Sequence, residues 1–332
     1  MTQTERPSIT QAFTREFAAI GLMQPSNPLL IQPAKLREQY ARDGYVYLQS
    51  VIDATVVAQV HGSMMAVLER HGFARQSDGR WFPTTKTEGS LAGRSPAWLA
   101  AEYEAMELAT PLLNHPSLTE VLSLVVDEDI RLLPITEIRS RPPDRESAVY
   151  WHQDGFYSAR GIDLYAAWLP LTPIDVQLGG LAVAHGMHTV GYLHEDRPPP
   201  HYLLAHDAIP DDVQRRANFQ PGDVVVFDQA LPHTGLSNLS TDGFRCSIDT
   251  RFCRASATGA IVGVVVDATP ESVRVQTASE EIHTLHVTED SFLRDRHGDR
   301  FPASDVADSE IGAGSRVLAV HDDGTLVSLR PV

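Results

Sequence analysis

The chain has 332 residues, of which 42% are hydrophobic, and this size and composition predict one large globular domain or one domain with a small companion. Its net charge is −16, and only Lys35 and Lys86 among its 27 basic residues are lysines, so we expect neither nucleic acid nor a membrane surface as a partner. No segment approaches about 18 uninterrupted apolar residues, no secretory pattern opens the chain, and the two cysteines, Cys246 and Cys253, favour a reducing compartment, which together predict a cytoplasmic protein.

The first third of the chain predicts an arm followed by helices. Residues 1–34 contain four prolines and no sustained periodicity, so we expect an N-terminal arm. Residues 73–97 are rich in Gly, Ser and Thr and predict a long loop. Hydrophobic periodicity and helix start and stop signals predict helices over 34–42, 54–71, 98–113 and 117–126, and a strand over 45–48.

The middle of the chain is a series of short apolar segments separated by Gly and Pro turns, which is typical of a sandwich or a barrel. A polar segment over 188–218 interrupts the series. The predicted strands are 130–139, 149–153, 164–171, 181–184, 224–228 and 244–252.

Five further β-rich segments follow Arg254, and they predict a small all-β domain resembling a barrel. We therefore expect three parts: the arm over 1–34, a main domain over 35–254 and a small domain over 255–332. A docking or oligomerisation module is the default interpretation of the last part, and a homodimer is one possibility that it raises.

His152 and Asp154 are the first candidate metal ligands. On an extended strand, residues two apart point to the same face, so one metal ion can contact both side chains. His233, which follows the apolar run Val224–Phe227, supplies a third candidate ligand. Two imidazoles and one carboxylate on one face of an octahedron are the ligand set of non-haem Fe(II) oxygenases. Together with the strand series, this set predicts a double-stranded β-helix, or jelly roll.

Arg245 and Ser247 lie beyond His233 on the last predicted strand of the main domain. A guanidinium can bind a carboxylate through two parallel hydrogen bonds, and a hydroxyl two residues later shares its face. The pair is therefore a candidate carboxylate site.

An ordered series of motifs resembles the phytanoyl-CoA dioxygenase family, from about Tyr40 to Phe252. The series comprises His152-Gln153-Asp154, Gly179-Gly180-Leu181, Gln220-Pro221-Gly222-Asp223, His233 and Arg245. The resemblance implies a jelly roll with flanking helices, Fe(II) held by His152, Asp154 and His233, and 2-oxoglutarate and O2 as co-substrates. It also implies that 2-oxoglutarate is converted to succinate and CO2 while a C–H bond of a second substrate is oxidised.

The resemblance further implies individual roles near the co-substrate. Arg245, with Ser247 as a second donor, would bind the distal carboxylate of 2-oxoglutarate, and Trp168 matches a Trp beside the co-substrate in some members. Arg139 stands in a region where many members have Asn and Lys, so the resemblance does not extend to co-substrate contacts from that strand.

Tyr157 and Arg160 follow the metal motif, and with Arg139 they are the candidate substrate contacts. A small metabolite of specialised biosynthesis suits an acidic chain with two lysines better than a phosphate-rich acyl-CoA. Hydroxylation is favoured over halogenation because Asp154 occupies the position that a halide would need, whereas desaturation and ring formation stay open. The alternative class is a non-catalytic metal-binding jelly roll that acts as a regulatory or interaction module through its C-terminal domain, although the complete ligand set favours an enzyme.

Overall fold

The computed structural model describes residues 17–86, 95–144, 151–157, 161–194, 204, 208–257, 259–295 and 300–332. Its helices are α1 (Pro33–Asp43), α2 (Ala54–Arg70), α3 (Pro96–Glu107), α4 (Thr110–Leu113), α5 (Pro116–Val126) and α6 (Asp154–Tyr157), with 3-10 turns at Asn27–Leu29, Met187–Val190, Asp211–Val213 and Ala303–Asp308. None of these helices has the length and hydropathy needed to span a bilayer.

The strands divide the described chain into a first set before residue 254 and a second set after it. The first set is β1 (Gly21–Leu22), β2 (Tyr45–Leu48), β3 (Ala74–Ser77), β4 (Arg80–Pro83), β5 (Ile130–Arg141), β6 (Tyr165–Pro170), β7 (Gly180–Ala184), β8 (Gln214–Arg216), β9 (Val224–Asp228), β10 (His233–Leu236) and β11 (Arg245–Arg254). The second set is β12 (Ala260–Thr269), β13 (Ser272–Thr277), β14 (Ile282–His286), β15 (Phe292–Leu293), β16 (Arg316–Asp322) and β17 (Thr325–Pro331).

Two sheets of the first set form the jelly roll. The major sheet has the order β2-β9-β6-β11-β5, and the minor sheet has the order β1-β8-β7-β10. The predicted jelly roll is therefore confirmed. The short strand β1 comes from the predicted arm and pairs in parallel with β8, so this part of the arm is integrated into the minor sheet.

Helices α1 to α5 cover the outer face of the major sheet, and local signals explain where they start and stop. The Asp53 side chain accepts a hydrogen bond from the Thr55 amide at the start of α2, and α1 ends at Gly44, which has a φ of 81°. The predicted helix 98–113 is divided at residues 108–109 into α3 and α4. Pro111 has no amide to donate and its ring crowds the carbonyl four residues earlier, so a proline here kinks or ends a preceding helix.

Two apolar cores lie on opposite faces of the major sheet. The outer core, between the sheet and the helices, includes Met64, Trp98 and Ile248. The inner core, between the two sheets, includes Trp168 and Phe219, whose ring centroids are 4.7 Å apart. The interior of the jelly roll is therefore apolar except where polar side chains enter it from particular strands.

The second set of strands forms one six-stranded sheet with the order β14-β13-β12-β16-β17-β15. An additional pairing between β14 and β17 joins distant strands of this sheet, so it wraps into a barrel. The sequence predicted five of these strands and missed β15. The barrel has a core of its own, which includes Val265, Val273, Leu285 and Leu329. The boundary at residues 254 and 255 stays a prediction.

Two further predictions need correction. Residues 73–97 were predicted to be a loop, but β3 and β4 form a hairpin within them. The strand predicted over 149–153 is absent from its described part, residues 151–153, where His152 forms only an isolated bridge. Residues 149 and 150 lie outside the described residues.

Candidate metal centre

The structure brings His152, Asp154 and His233 together. The backbones of the two histidines exchange hydrogen bonds, from the His152 amide to the His233 carbonyl at 3.0 Å and back at 2.9 Å. Their ring centroids are 4.2 Å apart. One potential ligand atom from each of the three residues lies within 4.8 Å of the others, and no other such cluster of His, Cys, Asp and Glu occurs in the described ranges. The cluster matches a facial site for one metal ion.

The expectation that His152 and Asp154 share one extended strand is wrong, because Asp154 begins the helix α6. The buried side chain of Gln153 explains the turn. Its Nε2 donates to the carbonyls of Gly191 (2.9 Å) and Ala230 (2.6 Å), and its Oε1 accepts from the Leu193 amide. These contacts fix the backbone between the two candidate ligands, so Asp154 reaches the site from a helix instead of a strand.

The protonation states suit a metal site. Nδ1 of His233 lies 3.1 Å from the Leu231 carbonyl, which favours a proton on Nδ1 and leaves Nε2 facing Asp154 Oδ1 at 3.8 Å. Burial lowers the pKa of His233, although the Asp154 carboxylate opposes this effect. Burial alone would raise the pKa of Asp154, but Arg251 and the two imidazoles outweigh it and lower that pKa. A neutral imidazole and an ionised carboxylate are the forms that bind metal.

Arg251 is the site residue that sequence reasoning missed. Its Nε lies 2.5 Å from Asp154 Oδ2, and one of its terminal nitrogens lies 2.9 Å from Asp249 Oδ2. Arg139 contacts the other oxygen of Asp249 at 3.2 Å and Glu137 at 2.5 Å. Alternating charges therefore lead inward from Glu137 to Asp154. The sequence did carry a signal, because β11 places a polar side chain at every second position of a buried strand.

Arg245 fits a carboxylate of an added ligand. It is buried, its Nε has no hydrogen-bond partner among the described residues, and one terminal nitrogen donates to the Leu236 carbonyl. Burial, with the positive charges of Arg141 and Arg139, lowers its pKa to about 9. A buried cation in this state gains from an anionic partner. Ser247 is buried on the same face of β11.

Gly235 makes room beside this guanidinium. A Cβ atom at Gly235 would lie 3.3 Å from a terminal nitrogen of Arg245. His233 and Gly235 are two apart on β10, so the candidate metal ligand and the glycine share one face. Any larger side chain here would occupy space between the metal site and Arg245.

The remaining candidates occupy different environments. Trp168 is buried in the inner core, directly opposite Asp249 in the pairing of β6 with β11. Arg139 makes the two ion pairs described above. The backbone of Tyr157 belongs to α6, whereas Arg160 and the Tyr157 side chain lie outside the described residues. Direct substrate contact by Tyr157, Arg160 or Arg139 stays a prediction.

A jelly roll that encloses two imidazoles and a carboxylate, with a buried arginine beside them, defines the class of non-haem iron oxygenases. The phytanoyl-CoA dioxygenase family model matches residues 40–247, and the chain belongs to this family. It is an Fe(II)- and 2-oxoglutarate-dependent dioxygenase that uses O2. The family and the relatives below favour an enzyme over the non-catalytic alternative.

Two relatives are 1-deoxypentalenic acid 11-beta-hydroxylases. The protein from Streptomyces arenae is 31% identical over an alignment of 259 residues, and the match covers 69% of this chain and 84% of the relative. The protein from Streptomyces exfoliatus is 30% identical over 249 residues, with the same two coverages. The apo structure of the non-haem monooxygenase ThoJ is 20% identical with a TM-score of 0.51, over 69% of this chain and 81% of that chain, and it shows a likeness of fold.

Proposed function

We propose that His152, Asp154 and His233 bind Fe(II) and that the enzyme hydroxylates a C–H bond of a small-molecule metabolite. The observation that carries the proposal is the convergence of the three ligand atoms within 4.8 Å. Three protein ligands on one face leave three coordination positions for co-substrate and O2.

We propose that Arg245 binds the distal carboxylate of 2-oxoglutarate, with Ser247 as a second donor and Trp168 as part of the surrounding wall. The buried and incompletely paired guanidinium supports this role. A charge-assisted bidentate contact would orient the co-substrate toward the three ligands.

The chemistry that iron and 2-oxoglutarate supply when bound is the activation of O2, coupled to release of succinate and CO2 and to oxidation of a C–H bond. The chain's own residues position these groups. His233 presents a neutral Nε2, Arg251 holds one oxygen of Asp154, and the apolar inner core around Trp168 and Phe219 excludes water.

The substrate is proposed to be a small metabolite of the specialised type, and carboxylic acids are the first class to screen. The two relatives are named as hydroxylases of such an acid. Asp154 is present where a halogenating site would leave room for halide, which favours hydroxylation. Desaturation and ring formation use the same oxidising chemistry and are distinguished by product mass.

The test compares three single variants, His152→Ala, Asp154→Ala and His233→Ala, with the matched control His286→Ala on the distant strand β14. We expect the wild type and the control to bind one Fe(II) per chain and to release succinate from 2-oxoglutarate. Each ligand variant should lose most of its iron and all turnover, because no spare ligand lies in the described cluster. Iron content and succinate release measure both, and wild-type values in any ligand variant would contradict the assignment.

A further inference from the structure

Helix α6, which begins at Asp154, packs against two neighbours outside the metal centre, namely His194 and the C-terminal barrel. The ring of Phe156, in α6, stacks on His194 with a centroid distance of 4.4 Å and an interplanar angle of 16°. It also meets Phe292 at 6.3 Å and 67°, an edge-to-face geometry. All three side chains are buried. Phe292 belongs to β15 of the C-terminal barrel, so an element of the barrel reaches the helix that carries Asp154.

A second contact of the barrel lies a few residues later. A Cβ atom at Gly161 would lie 2.9 Å from Cγ1 of Val327 and 3.0 Å from Cγ1 of Val320, which are distances that real Cβ atoms rarely show. Ile162 and Leu164 then pack in one apolar cluster with Leu318 and Val320. The chain is therefore covered by the barrel both at α6 and where it enters β6.

The position of Phe292 is fixed by its neighbours in the barrel. Its neighbour Leu293 is fully buried in the barrel core, and Phe292 pairs with Ser328 of β17. The guanidinium of Arg300 lies 5.6 Å from the centre of the Phe292 ring. The Phe292 ring is thus fixed in the barrel and contacts Phe156 of α6.

We infer that the C-terminal barrel supports the helix that carries Asp154 and that Phe292 is a positioning residue, which holds Phe156 and thereby α6. The inference rests on the proposed function in one respect, namely that Asp154 is a metal ligand. The family model ends at residue 247, before the barrel begins, so this contact is an addition to the matched family region.

The physical reason for an effect on the metal centre is local. The Gly155 amide donates to the Gln229 carbonyl at 2.9 Å and the Phe156 amide to the Gln153 carbonyl at 3.2 Å. A helix of four residues has little intrinsic stability, so its position depends on tertiary packing. Loss of the Phe292 edge contact leaves α6 to open more often, and Asp154 is its first residue.

The test uses the full chain and compares Phe292→Ala with Leu285→Ala. Leu285 is buried like Phe292, but it packs in the barrel core, whose described members all come from the barrel itself. Both variants should lower the thermal midpoint. Only Phe292→Ala should speed hydrogen exchange of the Gly155 and Phe156 amides, by about tenfold. It should also weaken Co(II) binding, measured by titration, by about threefold to tenfold, less than the loss typical of direct ligand supports.

Phe292→Leu covers the case in which the alanine variant does not fold, because it keeps an apolar side chain in the barrel but removes the aromatic edge. Faster exchange at Gly155 and Phe156 in Phe292→Leu, with unchanged exchange in β11, supports the inference. Equal exchange in the wild type and the Phe292 variants overturns it, and so does an equal change in Leu285→Ala. Hydrogen exchange of the metal-free protein measures the packing of α6 alone, whereas the iron content of Asp154→Ala measures whether Asp154 is a metal ligand. The two experiments therefore distinguish failure of the inference about Phe292 from failure of the proposed ligand role of Asp154.

Discussion

The two carboxylate oxygens of Asp154 have different neighbours. Oδ1 lies 3.8 Å from Nε2 of His233, and Oδ2 lies 2.5 Å from Nε of Arg251. One oxygen is thus directed to the candidate metal position while the other is held by a buried guanidinium. Contacts of this kind fix the orientation of a ligand and restrict it to one donor atom. Arg251 is therefore expected to affect metal binding without contacting the metal.

Replacing Arg251 should weaken the metal centre. Arg251→Ala removes the support of Asp154 and leaves its carboxylate and that of Asp249 without their shared cation, so metal affinity should fall by about 10-fold to 100-fold. Arg251→Lys keeps a charge but not the two-sided contact, and it should fall between alanine and the wild type. Co(II) titration measures the effect. Arg254→Ala, on the same strand with its Nε on the Val126 carbonyl, is the control. An unchanged affinity in Arg251→Ala would remove Arg251 from the site.

Replacing Arg245 should separate co-substrate binding from metal binding. Arg245→Ala loses a charge-assisted contact to a carboxylate, which costs roughly 2–5 kcal/mol when the partner is left buried. The KM for 2-oxoglutarate should rise at least about tenfold, while metal affinity stays near that of the wild type. Steady-state succinate release and Co(II) titration measure the two quantities. If the KM does not change, the anchor is a different guanidinium, with Arg141 the first candidate because it pairs opposite Arg245.

At the scale of elements, strands rich in apolar residues were predictable from the sequence, whereas short polar strands were not. The sequence located β5, β6, β7, β9 and β11 because each is rich in β-branched or apolar residues. It missed β8 and β10, which read Gln-Arg-Arg and His-Thr-Gly-Leu, and which are strands because β7 pairs with both. Short polar segments of this kind carry no periodicity, so only their neighbours determine their structure.

The candidate site shows the same division. The types and order of these residues in the sequence were sufficient to predict one shared site, which comprises His152, Asp154, His233 and Arg245. The helix at Asp154 was not predictable, because it depends on hydrogen bonds from Gln153 to the distant residues Gly191 and Ala230. The role of Arg251 depends likewise on a fold that places β11 beside α6.

The helix α2 carries a histidine that should make stability depend on pH. Burial lowers the pKa of His61 to about 4, and its Nε2 has no hydrogen-bond partner among the described residues. An unfolded imidazole titrates near about 6.5, so the unfolded chain binds more protons between these values, and stability falls as pH decreases from about 6.5 to about 4.

His61→Leu should remove this dependence. Between about pH 8 and about pH 5, the wild type should lose up to about 2 kcal/mol that the variant retains. Urea unfolding of metal-free protein at the two pH values measures the difference, and chelation removes the contribution of metal binding. His286→Leu, on the exposed face of β14, is the control. An identical pH dependence in His61→Leu and the wild type would show that His61 is protonated equally in both states.

At the scale of the whole molecule, the barrel has its own core but shares a second apolar cluster with the jelly roll. Leu133, Ile135 and Leu164 from the jelly roll meet Leu318 and Val320 from the barrel in this cluster. The sequence predicted the barrel from its β-rich segments, but it gave no sign of the shared cluster, because each contributing strand reads as an ordinary buried strand. The role as a separate docking or oligomerisation module stays a prediction, and the shared cluster favours a structural role.

A chain that ends at Arg254 should therefore fail to behave as an independent enzyme. Removing the barrel exposes side chains of the shared cluster, each worth about 1.5–3 kcal/mol when buried, and it also removes the Phe292 contact to Phe156. The shortened chain should aggregate and bind Co(II) more weakly than the full chain. Supplying residues 255–332 as a separate polypeptide should restore solubility and affinity, because the barrel core around Val273 and Leu285 is complete without the jelly roll. Light scattering and metal titration of the two forms provide the measurement. A monodisperse shortened chain with full metal affinity would show that the barrel is an appendage and that the metal centre depends on the jelly roll alone.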